Sequence, residues 1–198
     1  MITYVASKNA GKLRELTAMF AGSALDAAAY PGYVDVVEDA GTYAGNALLK
    51  AGALRAQLER AGIAAAVLAD DSGLEVDALG GRPGVLSARF GGAGATWPQR
   101  RALLLRELDG VARSQRRARF VCVMALIVPS SEAIFGSGQV EGCIAERESG
   151  SGGFGYDPLF FYPPLGRTFA ELPPHEKDAV SHRRRAAQAV LAALAQRV

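Results

Sequence analysis

Cysteine is nearly absent from the 198 residues: only Cys122 and Cys143 occur, both inside apolar runs. That excludes a disulfide framework and a cysteine-based zinc site, and reads as buried free thiols in a reducing cytosol. No apolar run is long enough to span a membrane. No charged-then-apolar leader precedes Ile2-Thr3-Tyr4-Val5-Ala6, which already reads as a strand. An excess of one charge is missing too: 22 basic and 20 acidic residues leave a net +2. That balance points neither to nucleic acid nor to an anionic membrane. No Ser-His-Asp or Cys-His set is evident, and Ser72 beside Asp71 has no visible histidine partner. Asp70-Asp71-Ser72-Gly73 lacks the one-residue gap between aspartates of an aspartyl phosphatase. The loop at residues 7–12 has one glycine, and Leu13 stands where a Walker loop needs Ser or Thr, so a Walker-type NTPase is excluded.

What is present is a chain for one globular domain over residues 1–198, or one domain of two lobes, with 49% hydrophobic and 21% charged residues. Its centre is Ala65-Ala66-Val67-Leu68-Ala69-Asp70-Asp71-Ser72-Gly73. The apolar run reads as a buried strand delivering two carboxylates to a sheet rim, closed by a turn at Ser72-Gly73. Ligands of open α/β sheets bind beyond the carboxyl ends of strands. Side chains alternate along a strand, so one carboxylate faces a cleft and the other must be paired or solvated. Asp71 is taken as the chemical one.

The first strand leads through Ser7-Lys8-Asn9-Ala10-Gly11-Lys12 into a helix with Leu13, Leu16 and Phe20 on one face. A strand, a small polar loop and a helix start make an anion site, or an ordinary strand-to-helix turn. Residues 34–39 alternate like an edge strand carrying acids. Thr42 caps a helix over 43–61, on which Asn46 and Lys50 are either solvated or turned to a ligand. Residues 74–79 alternate again. Thr96, Pro98 and Gln99 start a helix over 97–108. The four arginines of 113–119 read as a solvated, mobile connector rather than a basic patch. Residues 118–128 form a central strand and 133–144 its partner, bulged or bent at Gly136, Gly138 and Gly142. Phe154 among glycines offers an aromatic face to a base. A last helix, capped by Ser181, runs over 181–198. It starts with His182 and Arg183, whose charge at the positive dipole end calls for an anion nearby. Basic loop, carboxylates, glycine-flanked aromatic and the cluster of Lys177, His182 and Arg183 together describe a nucleotide polyphosphate site with Mg²⁺ on oxygen ligands.

Six motifs in order give the whole chain a resemblance to the inosine/xanthosine triphosphate pyrophosphatase family. They are Ser7-Lys8-Asn9-Ala10-Gly11-Lys12, Asn46-Ala47-Leu48-Leu49-Lys50-Ala51, Ala69-Asp70-Asp71-Ser72-Gly73-Leu74, Gly80-Gly81-Arg82-Pro83-Gly84 with Ser87-Ala88-Arg89, Gly152-Gly153-Phe154-Gly155-Tyr156-Asp157-Pro158, and Lys177 with Ser181-His182-Arg183. The resemblance implies an α/β fold with an elongated mixed sheet flanked by helices, and two lobes around a central cleft. It implies Mg²⁺-dependent hydrolysis of ITP, dITP and XTP to monophosphate and pyrophosphate by a cytoplasmic homodimer. Carried over, Asp71 is general base and metal ligand, and Glu38 a second metal ligand. Ser7, Lys8, Asn9, Ala10, Gly11, Lys12, Ser72 and Lys177 hold polyphosphate and sugar. Phe154, Gly155, Tyr156, Asp157, His182 and Arg183 frame the base, with Arg183 a donor to the purine 6-carbonyl. Asp71 and Phe154 are expected to line one crevice. Many relatives carry Glu where this chain has Gly45. A pyrophosphatase for modified pyrimidines and a nucleotide- or RNA-binding module are the competing readings.

Overall fold

The computed structural model describes residues 1–197. In chain order its strands are β1 (Ile2–Val5), β2 (Asp26–Ala29), β3 (Ala66–Val76), β4 (Pro83–Gly84), β5 (Arg117–Ile127), β6 (Ile134–Ile144), β7 (Phe160–Tyr162) and β8 (Arg167–Thr168). The helices are α1 (Ala10–Phe20), α2 (Tyr43–Arg60), α3 (Trp97–Glu107), α4 (Pro174–Val180) and α5 (His182–Ala195). The class is α/β, as expected. The chain forms two compact units, and β3, β5 and β6 contribute residues to both.

The first unit takes Met1–Asp71, Cys122–Gly138 and the chain from His182. Its strands run in the order β2-β1-β3-β5-β6. β1 is parallel to β2 and to β3, with Val5 opposite Leu68. Helices cover both faces of these strands. Ala66 and Leu68 share a core with Leu16 and Phe20 of α1 and with Ala186 and Val190 of α5. Val67 and Ala69 share another with Ala47, Leu54 and Leu58 of α2. The period-2 alternation of β3 therefore assigns successive residues to different helices. Each fully buried leucine contributes on the order of 2 kcal/mol through removal of apolar area from water.

The helix starts follow their caps. Asn9 Oδ1 accepts from Lys12 N at 3.1 Å, and Thr42 Oγ1 accepts from Gly45 N at 3.1 Å. A Cβ at Gly45 would lie 2.6 Å from Ala40 Cβ, so the bare backbone there lets the preceding loop close on the helix.

The second unit takes Ser72–Val121 and Gln139–Ser181. Its strand order is β3-β5-β6-β7-β8, with β4 antiparallel to β3. Phe160 packs 4.5 Å from Phe120 and 4.8 Å from Phe169, ring centre to ring centre. The expected capping box of Thr96 and Gln99 opens α3. The arginine run is not a mobile connector. Arg116 donates to the carbonyls of Leu108 and Val111 just beyond α3, and Arg119 pairs with Glu75 at 2.6 Å. Arg113 and Arg117 of the same run stay exposed.

Further sequence expectations are replaced by tertiary contacts. β3 does not end at the acid pair but continues through Ser72 and Gly73 to Val76, because Leu74 pairs with Gly84 of β4 and its N–H donates to Ser87 Oγ at 2.8 Å. The acid pair instead lies past the carboxyl end of β1, whose ladder reaches only Leu68. Residues 34–39 are not a strand: Val34 and Val37 are exposed, and the carboxamide of Gln57 takes both polar groups of Val34 at 2.9 Å. The nearby strand is β2, which carries no strong β-formers. Finally, Gly136 and Gly138 are where β6 and α5 approach closely. A Cβ on either would sit 2.5–2.6 Å from the α5 backbone at Ala186 or Val190. The missing side chains let α5 lie directly on β6, and that contact fixes where His182 and Arg183 begin their helix.

Candidate active site

Asp70 and Asp71, adjacent on β3, meet different partners in the first unit because their side chains alternate. Asp70 is fully buried, with Lys12 Nζ of α1 at 3.0 Å and Arg183 Nε of α5 at 3.3 Å. Arg183 Nη1 in turn reaches Glu15 Oε2 at 2.5 Å. Burial alone would raise the Asp70 carboxyl, but Lys12, Arg183 and Lys50 outweigh it and hold the group well below the usual carboxylate range. Burial would likewise lower Arg183, and Glu15 and Asp70 reverse the direction, so its guanidinium stays charged. The anion demanded by positive charge at the start of α5 is thus supplied by the chain itself.

Asp71 points to α2. Asn46 Nδ2 donates to its Oδ2 at 3.0 Å, and Lys50 Nζ lies 3.5 Å from its Oδ1. Burial pushes the Asp71 carboxyl up, with Glu38 adding to the effect and Lys50 and Asn46 opposing it. A carboxylate raised in this way is better matched to taking a proton than an ordinary one. Lys50 Nζ also lies 2.5 Å from Glu38 Oε1. Burial disfavours its charge, but Asp70, Asp71 and Glu38 together raise its pKa. One ammonium therefore sits between Glu38 and Asp71.

Glu38 comes from the irregular loop at 33–39. Gln57 holds that loop at Val34, and Asn46 Oδ1 holds its end by accepting from Ala40 N at 3.1 Å. Asn46 and Lys50 lie one turn apart on α2 and organise both carboxylates. The sequence left these two residues open. Their spacing of four on an apolar face was the available signal. Glu15, three residues after Lys12, was missed.

Residues 7–12 form the approach to α1. Ser7 Oγ accepts from Asn9 N at 3.1 Å, Asn9 caps the helix, Gly11 is buried, and Lys8 and Ala10 are exposed. Ser72 follows Asp71 within β3.

In the second unit the glycine-rich segment is held from several sides. Asp157 Oδ2 accepts from Phe154 N at 2.8 Å and from Lys177 Nζ at 2.5 Å. Lys177 is buried and its ammonium lies over the Phe154 ring, 4.7 Å from its centre. Gly155 has φ +65°, which favours glycine. Tyr156 is core: its ring meets Trp97 edge-on at 5.4 Å, and its hydroxyl donates to Ser87 O at 3.2 Å. The sequence grouped Lys177 with His182 and Arg183. In the structure, Lys177 pairs with Asp157, Arg183 pairs with Asp70 and Glu15, and His182 is buried at the start of α5.

Among the described residues, no group of three or more His, Cys, Asp or Glu side chains is arranged to hold a metal. The pair Glu38 and Asp71 remains, both already drawn to one cation. Two carboxylates completed by substrate oxygens and water are how Mg²⁺ is usually held, so the donor set fits that ion.

Comparison with known proteins gives one answer. A model of the Ham1 family matches residues 3–193. A dITP/XTP pyrophosphatase of Geobacillus kaustophilus is 48% identical over 185 residues, covering 92% of this chain and 88% of the relative. Among solved structures, a HAM1 protein from Coxiella burnetii matches with TM-score 0.84 and 36% identity over 99% of both chains. A nucleoside-triphosphatase, dITP/XTP pyrophosphatase, from Mycobacterium abscessus matches with TM-score 0.72 and 43% identity over 96% of this chain and 99% of that one.

Proposed function

With the chain a member of the Ham1 family, we propose that it hydrolyses altered purine nucleoside triphosphates, dITP, ITP and XTP, to the monophosphate and pyrophosphate. The names of its relatives support this substrate class. The observation that carries the chemistry is the convergence of Glu38 and Asp71 on the single ammonium of Lys50, beside an Asp70 already neutralised by Lys12 and Arg183.

Glu38 and Asp71 would hold Mg²⁺, which when bound neutralises phosphate oxygens. Asp71, raised by burial, takes the proton of the water that attacks the α-phosphorus. The first-turn amides of α1, with Lys8 and Lys12, hold the departing pyrophosphate. Lys12 gives one of its three donors to Asp70 and keeps others for an oxyanion. Ser7, Asn9, Ala10 and Gly11 complete the cradle for phosphate and sugar, with Ser72 following Asp71 on β3. In the second unit Phe154, its N–H held by Asp157, stacks on the base. The ion pairs of Arg183 to Glu15 and Asp70 fix the direction of its guanidinium. A fixed donor is what separates a 6-carbonyl purine from a 6-amino one. We further assign the protein a homodimeric state and a cytoplasmic place, which the family likeness supports. No helix among the described residues is long and apolar enough to cross a membrane.

The test is turnover of dITP, ITP, XTP, GTP, ATP and dUTP, each with Mg²⁺ and with a chelator. Deaminated purines should exceed ATP in kcat/KM by about 10²–10⁴-fold, and the chelator should abolish turnover. Preference for dUTP would favour the pyrimidine reading. Equal rates on all six, or full activity without metal, would overturn the proposal.

A further inference from the structure

The segment bearing Phe154 is tied at Gly152, whose N–H donates to Ala170 O at 2.9 Å, and at Phe154, whose N–H donates to Asp157. Residues 151–153 are exposed, and Gly150, Gly153 and Gly155 all have positive φ. Glycines leave a loop with many accessible conformations. Yet one side chain, Arg101 of α3, engages it near both ends. Its Nη1 donates to Gly155 O at 3.0 Å, and its Nε lies 2.9 Å from Glu148 Oε1. The Arg101 side chain is 14% exposed, while its partner Glu148 is 41% exposed, so the contact to Gly155 O is the better shielded of the two.

The geometry at Phe154 makes the consequence specific. Asp157 pins its N–H, and Arg101 pins the carbonyl of the next residue. Backbone on both sides of the ring is then fixed, and the ring follows. Trp97 stands one turn before Arg101 on α3. Its ring would be 3.6 Å from a Cβ at Gly155, and it packs edge-on against Tyr156. It is the only tryptophan in the chain. We propose that Arg101 is a positioning residue for nucleotide binding, holding the loop so that Phe154 is presented in one orientation before the base arrives, and that Trp97 emission reports occupancy of that loop. This rests on the reading of Phe154 as the base platform.

The physical basis is pre-organisation: a platform ordered in the free protein is not ordered at the expense of binding. A guanidinium fork engages a carbonyl and a carboxylate together, whereas an ammonium on a flexible stem is a poor substitute. Stacking of a non-reacting base acts alike on substrate and transition state. Losing it therefore raises KM and leaves kcat in place.

The experiment compares the parent, Arg101→Ala, Arg101→Lys and Phe154→Ala in two measurements: steady-state kinetics with dITP, and titration of Trp97 emission with inosine monophosphate. In the parent, emission changes saturably. In Arg101→Ala, KM and the emission midpoint rise by about 10-fold, the scale of one hydrogen bond from a charged donor, while kcat stays within about twofold of the parent. Arg101→Lys falls between. Unchanged KM in Arg101→Ala, or kcat and KM changing only in step with a fallen melting temperature, overturns the positioning role. An emission that ignores saturating nucleotide overturns the reporter role. Unchanged KM in Phe154→Ala overturns the base-platform reading and this inference with it. Unchanged KM in Arg101→Ala alone overturns only the inference.

Discussion

Asp71→Asn is expected to cut dITP turnover by about 10³-fold while the protein folds normally, the scale of a lost general base. The shape of the side chain is conserved, and an asparagine Oδ1 can still accept from Asn46 Nδ2, which meets Asp71 at 3.0 Å in the parent. Two things disappear: the site that receives the proton, and one of the two charges converging on Lys50. Folding loses little, because burial already disfavours the Asp71 charge. The measurements are kcat for dITP and the urea midpoint of the same preparation. A rate near the parent's would remove Asp71 from the chemistry. A collapsed midpoint would make it a structural residue.

Arg183→Met carries the largest expected cost in stability, about 3–5 kcal/mol, because removing one partner of a buried ion pair strands the other. The guanidinium is almost wholly buried and serves two acids, Glu15 and the fully buried Asp70. Methionine fills part of the volume but offers no charge, and Asp70 would lose one of the two cations within ion-pair distance of it. A loss of that size is a large share of a domain's total stability, so the urea midpoint should fall steeply. Acid sharpens the test. Asp70 has its pKa lowered in the fold, so its contribution is present above the unfolded value of about 4 and is lost as pH falls below it. Arg183→Met weakens that lowering, so acid unfolding of the variant should begin at higher pH. Unchanged urea and acid midpoints would show that the network contributes nothing net.

The two variants separate roles that the sequence could only juxtapose. That just one carboxylate of the pair faces a given side was readable, because alternation along a strand is local. The partner of Asp70 was not, since Arg183 lies 113 residues away and Glu15 another 168 from Arg183. Caps were legible for the same local reason: Thr42 and Thr96 start their helices by accepting from backbone three residues on. The end of β3 was misread because Ser and Gly favour turns locally, while what continues the strand is β4 and Ser87, reached through the fold. The alternation at 34–39 misled for a related reason. Val34 and Val36 alternate with acids as in a strand, but among the described residues no strand pairs with 34–39, and a glutamine from α2 satisfies the backbone of Val34 instead. β7 and β8, of three and two residues, are too short to carry any periodicity. The closeness of α5 to Gly136 and Gly138 is tertiary information that a glycine alone signals only as either a bend or an approach.

The most direct test of the central claim is to let the protein hydrolyse dITP with Mg²⁺ in ¹⁸O-enriched water and weigh the products. Attack at the α-phosphorus, with Asp71 as base, places the label in the deoxyinosine monophosphate and leaves the pyrophosphate unlabelled. Label in pyrophosphate, or release of labelled orthophosphate, would contradict it.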